Sequence, residues 1–229
     1  MSPNKDRRRR TGWLATGIAV AVALVIGGAL GRLSAGSVQS ESESAAALPG
    51  LTKTEAGIPV GYPDTRQGAA AAVAAYERAF ASPSILRAGV MRDRIEAVAM
   101  PDYVEAMLEA NTPGRERIAA GPIGRGIATG LQTLYAAVPI GYEIEAFSRQ
   151  RARVLTWGFT LLGNASAVEP AAYFGLTHTD LVWSGDRWRI AQTEGGFGPT
   201  PKLGTSRGPL GAYDVIGVVE HLRSYELAP

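Results

Sequence analysis

Residues 11–31, TGWLATGIAVAVALVIGGALG, form a run of 21 residues without a single charge. At about 1.5 Å rise per residue, a helix of this length spans roughly 30 Å, the hydrocarbon thickness of a bilayer. Lys5, Arg7, Arg8, Arg9 and Arg10 precede the run with only Asp6 opposing them, and Arg32 alone follows closely. This asymmetry predicts a cytoplasmic N-terminus and an extracytoplasmic remainder, with Trp13 at the cytoplasmic interface. A cleaved signal peptide would carry an apolar core of about 7–15 residues and a small-residue cleavage site. This run is longer, and Ala29-Leu30-Gly31 is a poor site, so a retained anchor is the expectation; Arg9-Arg10 only faintly echoes a twin-arginine signal. Gly27 and Gly31 form a small-xxx-small pair that weakly favours helix association.

The anchor changes the meaning of the composition. The chain of 229 residues has a net charge of +2 and a pI near 9.0, which invites a nucleic-acid reading. Residues 33–229, however, hold 17 basic and 20 acidic groups, a net of −3. The basic character belongs to a topology tag, so no direct nucleic-acid binding is expected. The absence of cysteine excludes disulfides, thiolate metal sites and cysteine nucleophiles, and two histidines (His178 and His221) leave little for a histidine metal site. A hydrophobic fraction of 46% is enough for a packed core. The ratio of 20 Arg to 3 Lys, with abundant Ala and Gly, points to a high-GC bacterial genome.

The expected organisation is a cytoplasmic basic tail (1–11), a transmembrane helix (12–31), a flexible stalk (32–60), an α+β ectodomain (61–195), and a Gly/Pro-rich arm with a C-terminal helix (196–229). The stalk is rich in Ser, Glu, Ala and Gly without periodicity. From Gly61 the texture changes. Asp64 and Gln67 have capping-box spacing ahead of a helix carrying Val73, Tyr76 and Phe80 on one face, which Ser82-Pro83 ends. A second helix, about 84–99, places Ile85, Val90 or Met91, Ile95 and Val98 inward, and Arg87, Arg92, Arg94 and Glu96 outward. A third starts near Pro101, packs Tyr103, Val104, Met107 and Leu108, and breaks at residues 111–114. Glycines and Pro122 leave residues 115–130 partly helical at best.

The period then switches to two. Residues 142–147 and 152–162 read as strands, the second with Arg153, Leu155, Trp157, Phe159 and Leu161 on one face. Asn164 heads a glycosylation sequon but reads as a turn residue. The clearest local signal is a hairpin turning at Gly185-Asp186, which sets Trp183 opposite Trp188 and Leu181 opposite Ile190. Its other face carries His178, Asp180, Arg187 and Arg189, with Asp180 diagonal to Arg189. A last helix is expected over 213–226. Helices followed by an antiparallel meander make an α+β pattern, most economically a curved sheet wrapped around helices.

A single span, a stalk, helices and a terminal hairpin reading LVWSGDRWRI (181–190) resemble membrane-anchored proteins with a nuclear-transport-factor-2-like cone ectodomain. Such domains occur in bitopic inner-membrane components of type IV secretion and conjugation machines, including those of Gram-positive bacteria. The opening GYPDTRQGA (61–69) is similar to membrane proteins of high-GC Gram-positive bacteria associated with transfer ATPases. A comparable architecture accompanies mammalian-cell-entry lipid transporters. The Asn-Pro-x-Gly motif of some secretion-system members is missing, residues 111–114 reading Asn-Thr-Pro-Gly.

Cone domains also include isomerases and dehydratases that use Asp, Tyr or His inside the cone. His178 and Asp180 share one face of a strand and could form an acid/base pair, but that face is opposite the Trp183/Trp188 face. A surface ion pair with Arg189 is the better reading. His221 beside Glu220 fits a helix-dipole role. The sequence carries no dinucleotide fingerprint, Walker loop, zinc-protease or nucleophile-elbow motif. Gly121, Gly124 and Gly126 follow no strand, and Arg149, Arg151 and Arg153 read as a solvated turn.

No catalytic, cofactor-binding or metal residue is therefore assigned. The leading expectation is a non-enzymatic, single-pass membrane protein whose extracytoplasmic domain assembles a conjugation or secretion-like envelope complex. Its expected partners are bilayer lipids, other envelope or transfer-complex proteins, and further copies of itself. The alternative is an anchored small-ligand-binding module, a lipid-transporter accessory protein, or a cone-fold isomerase or dehydratase. Those alternatives require an open pocket with an inward Asp, His or Tyr.

Overall fold

The computed structural model describes residues 53–87, 89–165, 168–200 and 222–224. The expected anchor and most of the stalk lie outside the described residues, as does most of the expected last helix. Among the described residues, no helix is long and apolar enough to cross a membrane.

The architecture is mixed α+β. A two-stranded hairpin, β1 (Lys53–Glu55) and β2 (Ile58–Val60), leads into α1 (Arg66–Phe80). A short 3-10 turn (Pro83–Leu86), α2 (Val90–Val98), α3 (Val104–Ala120) and α4 (Pro122–Ala128) follow. Then come the long antiparallel strands β3 (Thr133–Phe147), β4 (Arg151–Asn164), β5 (Val168–Trp183) and β6 (Trp188–Phe197). A two-residue strand β7 (Arg223–Ser224) joins the far edge, giving the order β6-β5-β4-β3-β7.

The hairpin shortens the expected stalk. Ile58 and Val60 are fully buried in the main core, an anchoring that the polar residues around them conceal in the sequence. α1 is capped by Thr65 rather than Asp64, the Thr65 Oγ1 accepting from the Gly68 amide at 3.0 Å. Its run of alanines favours helix and lets the backbone lie close to the sheet, with Val73 and Tyr76 buried as expected.

The expected second helix is broken. Leu86 ends the 3-10 turn, and α2 begins after Gly89, whose φ of 84° no longer continues a helix. Ile85, Met91, Ile95 and Val98 do face inward. Arg94, expected outward, instead turns back toward the turn, donating to the Ala79 carbonyl and to Ser82 Oγ at 2.7 Å and Ser84 Oγ at 2.9 Å.

α3 runs through Pro113, where a break was expected. The helix loses one amide there, but Asn111 and Thr112 donate side-chain hydrogen bonds to the carbonyls of Met107 and Leu108. Burial of Ile118 beyond the proline holds the last turns in place. Gly121 then ends α3, and Pro122 opens α4 at the position where a missing amide costs nothing.

Strand β3 begins nine residues before the expected one. The hairpin at Gly185 has the expected register, Trp183 opposite Trp188 and Leu181 opposite Ile190. Gly185 sits at φ 94°, a conformation costly for a side chain, and the Ser184 amide donates to the Arg187 carbonyl at 2.9 Å. Residues 223–224 pair as strand with Gly141 and Tyr142, which corrects the end of the helix expected over 213–226.

All helices contributing to the main core meet one face of the sheet. That core joins Val73, Tyr76, Ile95 and Val98 to Val154, Leu181 and Trp188. Trp188 is fully buried with both polar handles satisfied: its Nε1 donates to the Pro63 carbonyl at 2.8 Å, and its carbonyl accepts from Tyr76 Oη at 2.6 Å. Beside it, Trp183 contacts the ring at 5.3 Å between centroids, edge-on. At the exposed edge, β6 is covered by the chain at residues 99–100, where the Met100 amide donates to the Ile190 carbonyl at 2.8 Å.

Candidate functional site

Side-chain size along the helix-facing side of the sheet decides where space remains. On β4 that side reads Ala152, Val154, Thr156, Gly158, Thr160 and Leu162, and on β5 it reads Leu181, Thr179, Thr177, Gly175 and Tyr173. One end is filled by Leu181, Ile190 and Trp188. At the middle, threonines and glycines leave the helices standing off the sheet, and a cavity of about 130 Å³ opens there. Its volume is on the scale of a cavity that accepts one aromatic ring. Gly158 is required at its floor, because a Cβ there would lie 2.5 Å from the Val138 carbonyl oxygen. The close approach comes where β3 shifts register between Pro139 and Gly141.

From the helical side, Tyr76, Glu77, Phe80 and Met107 line the cavity. From the sheet side come Thr156, Thr160, Thr177, Thr179 and Thr193. Phe197, two-thirds exposed, stands at the mouth. The apolar lining is thus interrupted by a rank of hydroxyls and by one carboxyl group.

That carboxyl is Glu77, on the face of α1 turned to the sheet. With Glu77 ionised, Thr156 Oγ1 donates to Glu77 Oε1 at 2.5 Å. Thr156 Oγ1 also lies 3.3 Å from the Thr177 carbonyl oxygen, and a single hydroxyl proton cannot serve both acceptors. A protonated Glu77 resolves the conflict by donating to Thr156 Oγ1, which then donates to Thr177. Glu77 is partly buried and lines the cavity. Burial pushes its carboxyl from an ordinary value of 4.5 to about 7, against the opposing effects of Thr156 and the neighbouring Arg78. Among the described residues lining the cavity there is no lysine, arginine or histidine to pair with it.

Glu77 was not singled out from the sequence. It sits between Tyr76 and Arg78 near the end of a helix and looks like a solvated position. Its spacing of i+4 from Val73 places it on the inward stripe, and that was the available signal.

His178 and Asp180 lie on the other side of the sheet, away from the cavity, so the structure does not bring them to it. They belong to a charged cluster spread over the four long strands. Arg153 Nη1 donates to Asp180 Oδ2 at 3.0 Å and Arg153 Nε to Glu145 Oε2 at 3.1 Å; Glu194 lies 3.8 Å away, and His178 Nδ1 is 3.0 Å from Glu145 Oε2. The partner of Asp180 is therefore Arg153, not Arg189. A one-residue bulge at Ala191 places Asp180 opposite Gln192 and removes Arg189 from its diagonal. Arg189 reaches round the edge to the carbonyls of Glu96 and Ala99. Desolvation raises the Asp180 carboxyl and Arg153 partly offsets that rise.

Arg187, expected on the solvated face, is 6% exposed. It donates to Asp186 at 2.7 Å and to Glu55 of the N-terminal hairpin, tying β1 to the β5–β6 turn. These contacts hold the Glu55 and Asp186 carboxyls below the usual range and raise the guanidinium. Of the arginine cluster, Arg153 is in the ion network, while Arg149 and Arg151 stay exposed at the β3–β4 turn. Asn164 is buried, and its Nδ2 donates to the Pro122 carbonyl at 3.2 Å, so its side chain presents no glycan acceptor. His221 lies outside the described residues. Among the described residues, no group of acidic or histidine side chains is placed to hold a metal ion.

On the outward side, Trp157 and Phe174 stack at 5.8 Å and Phe159 meets Phe174 at 5.2 Å. Trp157 Nε1 donates to the Pro199 carbonyl at 3.2 Å as the chain leaves β6. The bulky stripe of β4 thus packs away from the helices, and the small residues face them. The chain matches no protein-family model, and neither a curated protein nor a solved structure resembles it beyond chance.

Proposed function

We propose that the described domain is a small-ligand-binding module held at the outer face of a membrane by the N-terminal segment. The observation that carries this reading is the apolar cavity between α1 and the sheet, with one carboxyl and a rank of hydroxyls aimed into it. A purely structural domain has no use for the cost of placing a carboxyl among apolar side chains with no basic partner among the described lining residues, whereas ligand sites combine an apolar lining with few polar groups. Helices laid on one face of a long antiparallel sheet around such a cavity also support the cone reading of the fold. The charge-free run at 11–31 and the basic residues before it support the single-pass placement with the C-terminal domain extracytoplasmic. There the module would serve an envelope, transfer or lipid-transport complex.

The direct test is a thermal-shift and calorimetric screen of small aromatic and lipid-like compounds against the full chain in nanodiscs. Ala137→Phe and Thr160→Leu, which fill the cavity from β3 and β4, serve as controls. Ligands that stabilise the native chain and lose their effect on both variants are expected. A chain that no compound stabilises would sink the proposal. A periplasm-active reporter fused to the C-terminus is expected to be active; an inactive fusion would overturn the orientation.

A further inference from the structure

From the composition of the cavity wall we infer that its ligand is a cation: a compound with a single ammonium or amidinium group on a small apolar body, bound with that group against Glu77. The inference rests on the ligand-binding reading above and adds a charge to it.

Three features of the wall point this way. First, Glu77 is the carboxylate of the cavity and has no basic side chain among the described lining residues to neutralise it. A buried carboxylate with no counter-charge is unfavourable, so the empty site favours the neutral acid. A ligand that brings a positive charge makes the ionised form the favourable one. An anionic ligand would meet a carboxyl and, among the described lining residues, no cation. Second, the groups nearest Glu77 suit an ammonium. The Thr156 hydroxyl touches it and the Thr177 carbonyl lies just beyond, and these oxygens, like the carboxylate, accept hydrogen bonds from a three-donor head group. Third, the remainder of the wall is apolar and aromatic, with Phe80 and Tyr173 available to the body of the ligand or to the edge of its charge. Around Glu77, the charged group that acts on it from its own helix is Arg78, next in the chain and exposed. From β3, β4, β5 and β6 the cavity receives no charged side chain among the described residues.

Binding then carries a proton signature. Because Glu77 is protonated below about pH 7 in the empty site, a cation must expel that proton on entry. Above that pH it enters without proton release. Its affinity therefore falls about tenfold per pH unit below the carboxyl's pKa and levels off above it.

The test compares three probes of one shape: 2-phenylethylamine, 2-phenylethanol and phenylacetate. Calorimetry on the full chain in nanodiscs, with empty nanodiscs subtracted, reads affinity at pH 8 and at pH 5.5. At pH 8 the amine is expected to bind about tenfold to a hundredfold tighter than the alcohol, the range of a charge-assisted hydrogen bond. Phenylacetate is expected to bind weakest. At pH 5.5, titrations in buffers of different ionisation enthalpy should show about one proton released per amine bound, and none for the alcohol. Glu77→Gln should bring the amine down to the alcohol's affinity while the alcohol still binds, which shows the cavity intact. An amine that binds no tighter than the alcohol to the native chain would overturn the charge inference and leave the pocket reading standing. Phenylacetate binding best would overturn it too. If none of the three binds, at either pH, both readings fall together.

Discussion

Replacing Glu77 by glutamine isolates the energetic consequence of placing one carboxyl in an apolar cavity. The unfolded chain ionises this group near its ordinary value of 4.5, and the folded chain near 7. The folded state therefore holds the proton more tightly. Stability is undiminished below the unfolded value, falls as pH rises between the two, and levels off once pH passes the folded value. At about 1.4 kcal/mol per unit, the loss across that window from 4.5 to about 7 is about 3 kcal/mol. Glutamine keeps the shape and can still hydrogen-bond Thr156 but cannot ionise. The native chain and Glu77→Gln should be of similar stability near pH 4.5, with the variant ahead by about 3 kcal/mol at pH 8. For a domain of this size that corresponds to roughly 10 °C in Tm. Thermal unfolding of the full chain, followed through tryptophan fluorescence because Trp188 is buried, reads both curves. Parallel pH profiles for the two proteins would refute the reasoning, since they would mean that Glu77 ionises freely in the fold. A native chain that gained stability relative to the variant between pH 5 and 8 would refute it more sharply.

Other parts of the structure give further expected outcomes. Tyr76→Phe removes the buried hydrogen bond to the Trp188 carbonyl and leaves that acceptor unpaired; a loss of about 1–2 kcal/mol in urea unfolding is expected. Arg187→Met cuts the link between Glu55 and the β5–β6 turn. Its two carboxylate partners can still reach water, so the loss should stay near 1–3 kcal/mol, and hydrogen exchange should rise in residues 53–60 above all. His178→Ala and Asp180→Asn alter the charged cluster on the side of the sheet opposite the cavity. Each should change stability by less than about 1 kcal/mol and leave ligand affinity untouched in the same calorimetric assay.

Much of the architecture was legible in the residues themselves. Local rules suffice where a pattern acts over a few positions. The alanine-rich helix ending before Ser82-Pro83 is one case, and the hairpin turning at Gly185 with its paired tryptophans is another. The same rules failed where burial outweighed them. α3 passes through Pro113 because side chains beyond it are buried, and the hairpin at residues 53–60 forms because Ile58 and Val60 reach a core assembled from distant parts of the chain. Likewise a single extra residue at Ala191 moved Asp180 from Arg189 to Arg153, and a bulge leaves little trace in an alternating pattern.

The candidate site divides along the same line. Alternation along β4 shows that Thr156, Gly158 and Thr160 share a side, and helical periodicity puts Glu77 in line with Val73. Nothing local says that this side of β4, rather than the bulkier one bearing Trp157 and Phe159, meets the helices. That choice depends on which surface the helices cover, and on Trp188 and Leu181 filling one end of the interface while small residues leave the rest open. By itself the sequence determined the charge-free run with its basic flank, the α+β order of elements, and the absence of cysteine, all of which are properties of neighbouring residues or of composition. The tertiary structure alone decided that a glutamate of ordinary appearance lines an apolar cavity with no basic side chain among the described lining residues, because a cavity is a relation between surfaces far apart in the chain.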